Sequence, residues 1–199
     1  MTPEQLKSSI LQYAIQGKLV EQRSEEGTGE ELFAQIQEEK KRLIAEKKIK
    51  KEKTLPEIAE DEVPFDIPES WKWCRLSDII DVRDGTHDTP TYVDKGIPLI
   101  TSKNLVEGGI DYSNVKYISE KDAISINDRS GVNIGDILFA MIGTIGNPSM
   151  VTEDILISIK NVALFKFTFS KNLSNHFVMY FLDYAQEDMK NKPSGGLQP

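Results

Sequence analysis

Asp84-Gly85-Thr86-His87-Asp88 is the string in this 199-residue chain whose side chains come nearest to a reaction centre. Asp and His are metal ligands, but a metal site needs three or four donors converging from different directions. Here the donors are nearly contiguous, and the other histidine, His176, falls in a distant segment with helical spacing. Three readings stay open. The string is a metal site, or an Asp-Gly turn with its polar side chains in water, or a recognition loop whose Thr, His and Asp meet base edges or phosphates.

A second string, Gly135 to Asn147 (GDILFAMIGTIGN), is glycine-rich. It lacks the Gly-Lys-Ser/Thr ending of a phosphate loop and the spacing and following helix of a dinucleotide fingerprint. Gly135-Asp136 reads as a turn into a buried strand, and Gly143 and Gly146 bring backbone close to another strand or to a ligand. No Gly-x-Ser-x-Gly elbow occurs. Asn147-Pro148-Ser149 is not the Asn-Pro-Pro-Tyr type of motif with which adenine methyltransferases hold a flipped base. Cys74 is the single cysteine, so neither a disulfide framework nor a zinc cluster is expected. These strings supply no nucleotide site, no catalytic triad and no cofactor site.

The elements that would position such residues follow from periodicity and caps. Thr2-Pro3-Glu4-Gln5 starts a helix, with Thr as the cap and Pro at the first helical position. Leu6, Ile10, Leu11, Ala14 and Ile15 then recur at helical spacing. Thr28-x-x-Glu31 opens a second helix with a stripe of Leu32, Phe33, Ile36, Leu43 and Ile44. The KKIKKEK run that follows reads as a solvated helix end favoured by the macrodipole, or as a nucleic-acid patch. Residues 1–53 hold too few apolar side chains to close a core alone, so they are expected to dock on something else. Residues 54–70 carry three prolines and many acids, which predicts an extended connector.

From Trp71 the pattern changes to short strands. Trp71 and Trp73 suit a strand start, followed by candidates at Ile79–Val82, Ile97–Thr101, Ile137–Ile142, Ile155–Ile159 and Val162–Phe169. Ser119 caps a short helix, and Ser174–Met189 is one long helix. The expected fold class is α+β: an N-terminal helical segment (1–53), a linker (54–70) and a mixed domain (71–199) around a twisted, largely antiparallel sheet.

Hydrophobic content of 39% and charge of 28% are those of a soluble globular protein. No apolar run approaches the ~20 residues of a spanning helix, and the polar, capped N-terminus does not read as a signal peptide, so cytoplasmic residence without a membrane is expected. The net charge of −8 argues against unaided nucleic-acid binding. Its distribution softens that objection: residues 54–81 hold 8 acids and 2 bases, whereas residues 82–199 hold 14 acids and 11 bases.

LKSSILQYAIQGKLV, EELFAQIQEEKKRL, the acidic Pro-rich connector and PESWKWCRLSDI, in that order, resemble the specificity subunits of type I restriction–modification systems. DGTHDTP, GIPLITSKNL, GDILFAMIGTIGN and SGGLQP resemble one target-recognition domain of that family. The resemblance implies a non-catalytic, cofactor-free subunit. Such subunits carry two recognition domains, each reading one half of a split DNA site. Their helices act as a ruler that docks adenine methyltransferase subunits, to which a restriction motor subunit attaches. With one recognition domain, this chain is expected to be a half-length subunit or a fragment. A helical ruler adds ~1.5 Å per residue, and two readers on one duplex face match its ~34 Å repeat.

Double-stranded DNA is then the expected ligand. Candidate readers are Thr86, His87 and Thr89; Ser102, Lys103 and Asn104; Thr144 and Asn147; Lys160 and Asn161; and Lys190, Lys192 and Ser194. Leu6, Ile10, Leu32 and Ile36 are the expected docking residues. Asn104 is expected to pair with adenine and Lys103 to meet a phosphate. Two other readings compete: an adaptor that binds proteins without touching DNA, favoured by the acidic balance, and a hydrolase built on Asp84–Asp88.

Overall fold

The computed structural model describes residues 1–51, 53–143 and 145–191, and they form two compact units. The first comprises Met1–Asp81 with Phe167–Ser174. Helix α1 (Pro3–Ile15) begins with a reciprocal cap: the Gln5 amide donates to Thr2 Oγ1 (3.2 Å) and the Thr2 amide to Gln5 Oε1 (2.8 Å). Helix α2 (Gly29–Ala45) repeats the device with Thr28 and Glu31 (3.2 and 2.9 Å). Each cap satisfies two amides that the helix cannot.

Ile36, Leu43 and Phe169 form the buried core around α2, with Leu32, Ile49, Ile79 and Leu173 packed against it. Two of the expected docking residues are thereby corrected. Ile36 is 3% exposed and Leu32 is half-buried, because Phe169 and Leu173, well over a hundred residues downstream, cover the apolar stripe of α2. The same packing moves residues 71–81 and 167–174 into this unit rather than into the mixed domain. Polar tethers add to it. Gln37 Nε2 donates to Asp78 O (2.8 Å) and Lys40 Nζ to Ser77 O (2.6 Å), fixing the short helix α3 (Leu76–Ile79). On α1, by contrast, Leu6, Ile10 and Tyr13 are 50, 46 and 55% exposed.

Residues 54–70 form no strand and only one short 3-10 turn, Glu60–Glu62. They are strapped to their unit. Arg75 makes a forked pair with Glu62 (2.6 and 2.7 Å) and donates to Glu57 O (3.2 Å). The Arg75 bonds, then the Ala59 amide, pull the Glu62 carboxyl down to about 2. Trp71 and Trp73 start no strand. Trp71 Nε1 donates to Gln22 Oε1 (2.8 Å), and Trp73 packs edge-on against Phe65. Burial pushes the nearby Cys74 thiol up to about 11.

The second unit comprises Val82–Lys166 and the chain from Asn175. One sheet has the order β1 (Asp81–Asp84), β10 (Val162–Lys166), β7 (Ile137–Ala140), β8 (Gly146–Met150). The other runs β2 (Tyr92–Val93), β6 (Lys116–Ile118), β3 (Ile97–Ile100), β9 (Ser158–Ile159), and β4 (Leu105–Val106) and β5 (Gly109–Ile110) form a small hairpin. β10 pairs antiparallel with β7, aligning Val162 with Ala140 and Phe165 with Ile137, whereas β3 and β9 are parallel. Leu138, Ala140, Val162 and Leu164 from the first sheet meet Ile100 and Ile159 from the second in one core. Helix α4 (Glu120–Ser130), capped by Ser119, places Ala123 against Leu99 and Ile118. The α+β class is as the sequence predicts.

Strand β8 fills what the sequence presents as a glycine-rich turn. A side chain at Gly146 (φ 117°) would collide with Gln186 Oε1 of helix α5 (Asn175–Asn191), so the partner that this glycine admits is a helix. The Lys166–Asp136 ion pair (2.6 Å) is buried. Lys166 also donates to Gly131 O (2.7 Å), and Asp136 accepts from the Asn133 amide (2.8 Å). Such a pair holds only because its remaining bonding capacity is met.

Candidate nucleic-acid interface

Three chain segments far apart in sequence meet at one edge of the second unit. The first is the loop after β1, the second the 3-10 turn Ser102–Asn104 after β3, and the third the Lys160–Asn161 turn between β9 and β10. Backbone bonds join them: Gly85 N to Val162 O (2.9 Å), Thr86 N to Ile159 O (3.0 Å), Asn161 N to Thr86 O (3.1 Å) and Lys160 N to Ile100 O (2.9 Å). Gly85 is required here, since a Cβ would lie 2.7 Å from Ile159 O. Asn161 takes φ 54°, a left-handed conformation that asparagine tolerates better than most residues.

The sequence-predicted site residues divide by what their side chains touch. His87 and Thr89, with Asp88 between them, are exposed at the loop tip, and Lys103 is exposed. Ser102 donates to Asn161 O (3.2 Å). Thr86 is buried, and its hydroxyl accepts from the Asp88 amide (3.2 Å). Asn104 is 6% exposed. Its oxygen accepts from the Thr101 amide (3.0 Å) and hydroxyl (2.9 Å), while its nitrogen donates to Asp111 O (3.2 Å). That leaves no edge with which to pair a base bidentately, so the expected adenine contact of Asn104 does not fit this geometry.

Asn147 likewise serves the fold: its amide nitrogen donates to Leu105 O (2.8 Å) and its backbone to Gln186 Oε1 (3.0 Å). Lys160 folds back over the first loop, donating to His87 O, Asp88 O and Thr89 Oγ1, each at 2.9 Å. Lys190 sits on α5 in an ion pair with Glu187 (2.7 Å), outside this hydrogen-bonded group. Thr144, Lys192 and Ser194 lie outside the described residues.

Two basic residues at this edge escape the sequence reading. Arg129, at the end of α4, donates to Gly85 O (3.1 Å), and Arg83 on β1 donates to Arg129 O (3.0 Å). Arg83 directly precedes the Asp84–Asp88 string and was open to notice. Arg129 has no local signal, because only the packing of α4 brings it there. Among the described residues, no group of three His, Cys, Asp or Glu side chains is placed to hold a metal. His87 instead faces an amide oxygen, Asn161 Oδ1, 3.0 Å from Nδ1.

The arrangement has the chemistry of a reading surface: polar tips on loops, each held by a rigid sheet edge. The family model for the type I restriction modification DNA specificity domain matches residues 68–199. The chain is 32% identical over 191 residues to the specificity subunit of the type I restriction enzyme EcoAI of Escherichia coli, covering 89% of this chain and 31% of that subunit. It is 47% identical over 75 residues to the EcoEI specificity subunit of Escherichia coli, covering 38% of this chain and 13% of that subunit. The chain thus spans less than a third of the length of these curated relatives. Among solved structures, the HsdS subunit of Thermoanaerobacter tengcongensis matches with a TM-score of 0.51 over 67% of this chain and 32% of that one, at 16% identity, a likeness of fold alone. With a family match over well more than half of its residues, the chain belongs to the type I restriction modification DNA specificity family.

Proposed function

We propose that this chain is a DNA-recognition component of a type I restriction–modification complex, reading one half of a bipartite duplex site. It carries out no chemistry itself, leaving methylation to adenine methyltransferase subunits and cleavage to a motor subunit joined through the complex. The observation that carries this reading is the convergence of the 85–89 loop, the Ser102–Asn104 turn and the Lys160–Asn161 turn on one edge. His87, Asp88 and Thr89 are the base-reading tip. Lys103, Arg83 and Arg129 supply positive charge for flanking phosphates. Thr86, Asn104, Asn147, Lys160 and Asn161 hold the loops in place.

Leu6, Ile10 and Tyr13 recur at i, i+4 and i+7 on α1 and stay exposed, which supports docking of a methyltransferase subunit on that helix. The acidic balance fits an assembly in which a partner supplies part of the affinity. The test is competition binding to duplex DNA across a salt series, with and without the methyltransferase subunits. Sequence-selective binding that weakens with salt supports the reading. Assembly with those subunits but no DNA contact from residues 82–191 would make the chain a protein adaptor instead.

A further inference from the structure

Lys160 has three ammonium protons, and its three bonds to His87 O, Asp88 O and Thr89 Oγ1 use all of them. It has none left for a phosphate, although it lies beside the proposed DNA face. Its effect falls on the loop, whose backbone it pins at two successive carbonyls.

The next residue, Asn161, fixes the His87 ring. Its amide oxygen only accepts, so the proton it receives at 3.0 Å is on His87 Nδ1. In the neutral ring this leaves Nε2 as an acceptor. Asp88, next along the tip, also presents only acceptors when ionised. Thr89, with its oxygen engaged by Lys160, keeps one proton to donate. With the His87 ring neutral and Asp88 ionised, the foremost groups of this edge are therefore hydrogen-bond acceptors. Acceptors repel phosphate oxygens and match exocyclic amines. In the major groove those amines are adenine N6 and cytosine N4, while guanine O6 and thymine O4 stand in the corresponding place as acceptors.

We propose that Lys160 and Asn161 are positioning residues that turn the His87–Asp88 tip into an amine-reading site, selecting adenine or cytosine over guanine or thymine on the strand it faces. The inference rests on the DNA-reading function proposed above.

The test is selection from a randomised duplex library by the full chain assembled with its methyltransferase subunits. One half-site position should favour adenine or cytosine by about tenfold, the usual scale of one base contact. His87→Arg, an exposed change that replaces acceptor by donors, should turn that position toward guanine or thymine. Asn161→Gly keeps the left-handed backbone but removes the oxygen, and should blur the same position alone. Lys160→Met should blur the positions read by His87 and Asp88 together. A selective wild-type complex whose profile is unchanged by His87→Arg and Asn161→Gly would overturn this inference and leave the DNA-reading function standing. A wild-type complex with no sequence preference would overturn both.

Discussion

The Asn104 amide meets Thr101 on one side and Asp111 on the other, inside the turn that presents Lys103. Replacing Asn104 by Ala leaves buried backbone groups without partners, at a cost of roughly 1–3 kcal/mol. Equilibrium urea unfolding of the variant should therefore show a lower midpoint, and any change in DNA selection should accompany that loss rather than occur alone. An unchanged midpoint would return Asn104 to the list of direct readers. Lys103, exposed beside it, should behave differently. Lys103→Ala should weaken binding to all sequences alike and lower the salt slope by about one unit, with stability unchanged. The residue types that suit DNA were legible in the sequence, but their orientation was not. Whether an amide or ammonium faces solvent depends on partners that spacing does not reveal; the acceptors of Lys160 are more than seventy residues before it in the chain.

The two N-terminal helices start with the same kind of cap and carry apolar stripes, yet α1 buries Ile15 at its end and leaves Leu6 and Ile10 exposed, whereas α2 buries Ile36 and Leu43 against residues of its own unit. Ile36→Asp should therefore unfold the first unit, since burying an unpaired charge in a packed core is far costlier than the usual single change. Leu6→Asp with Ile10→Asp should leave the melting temperature unchanged and weaken assembly with the methyltransferase subunit. Calorimetry and co-purification of the two variants check both halves; a melting temperature lowered by the α1 pair would show that its face is core. The connector offers a pH signature. Because Arg75 depresses the Glu62 carboxyl to about 2, their pair contributes stability above the ordinary carboxylate value of 4.5 and loses it as pH falls toward about 2. Glu62→Gln should remove that part of the acid dependence in an unfolding series between those values. Helices were legible because caps are local signals, as at Thr2, Thr28 and Ser119. Strands such as β2, β6 and β8 were not, because two to five residues carry little periodicity and their pairing is set by distant neighbours.

At the scale of the whole molecule, the net charge of −8 and the proposed DNA-reading edge are compatible because the acidity is concentrated in residues 54–81, within the first unit, while Arg83, Lys103 and Arg129 lie at the edge of the second. The order of motifs along the chain made the family legible, and the family match confirms it. Part of the division into units was hidden, because a return of the chain at Phe167–Ser174 leaves only Phe167, Phe169 and Leu173 as its apolar trace, and nothing local says that Phe169 and Leu173 pack against α2. The most direct measurement of the central claim is affinity of the chain, assembled with its methyltransferase subunits, for duplexes drawn from a randomised library, repeated at two salt concentrations. The account predicts a defined half-site whose enriched duplexes bind at least about a thousandfold more tightly than the unselected pool, with affinity for both falling as salt rises. Equal affinity for enriched and unselected duplexes, in a complex whose subunits are all present, would contradict it.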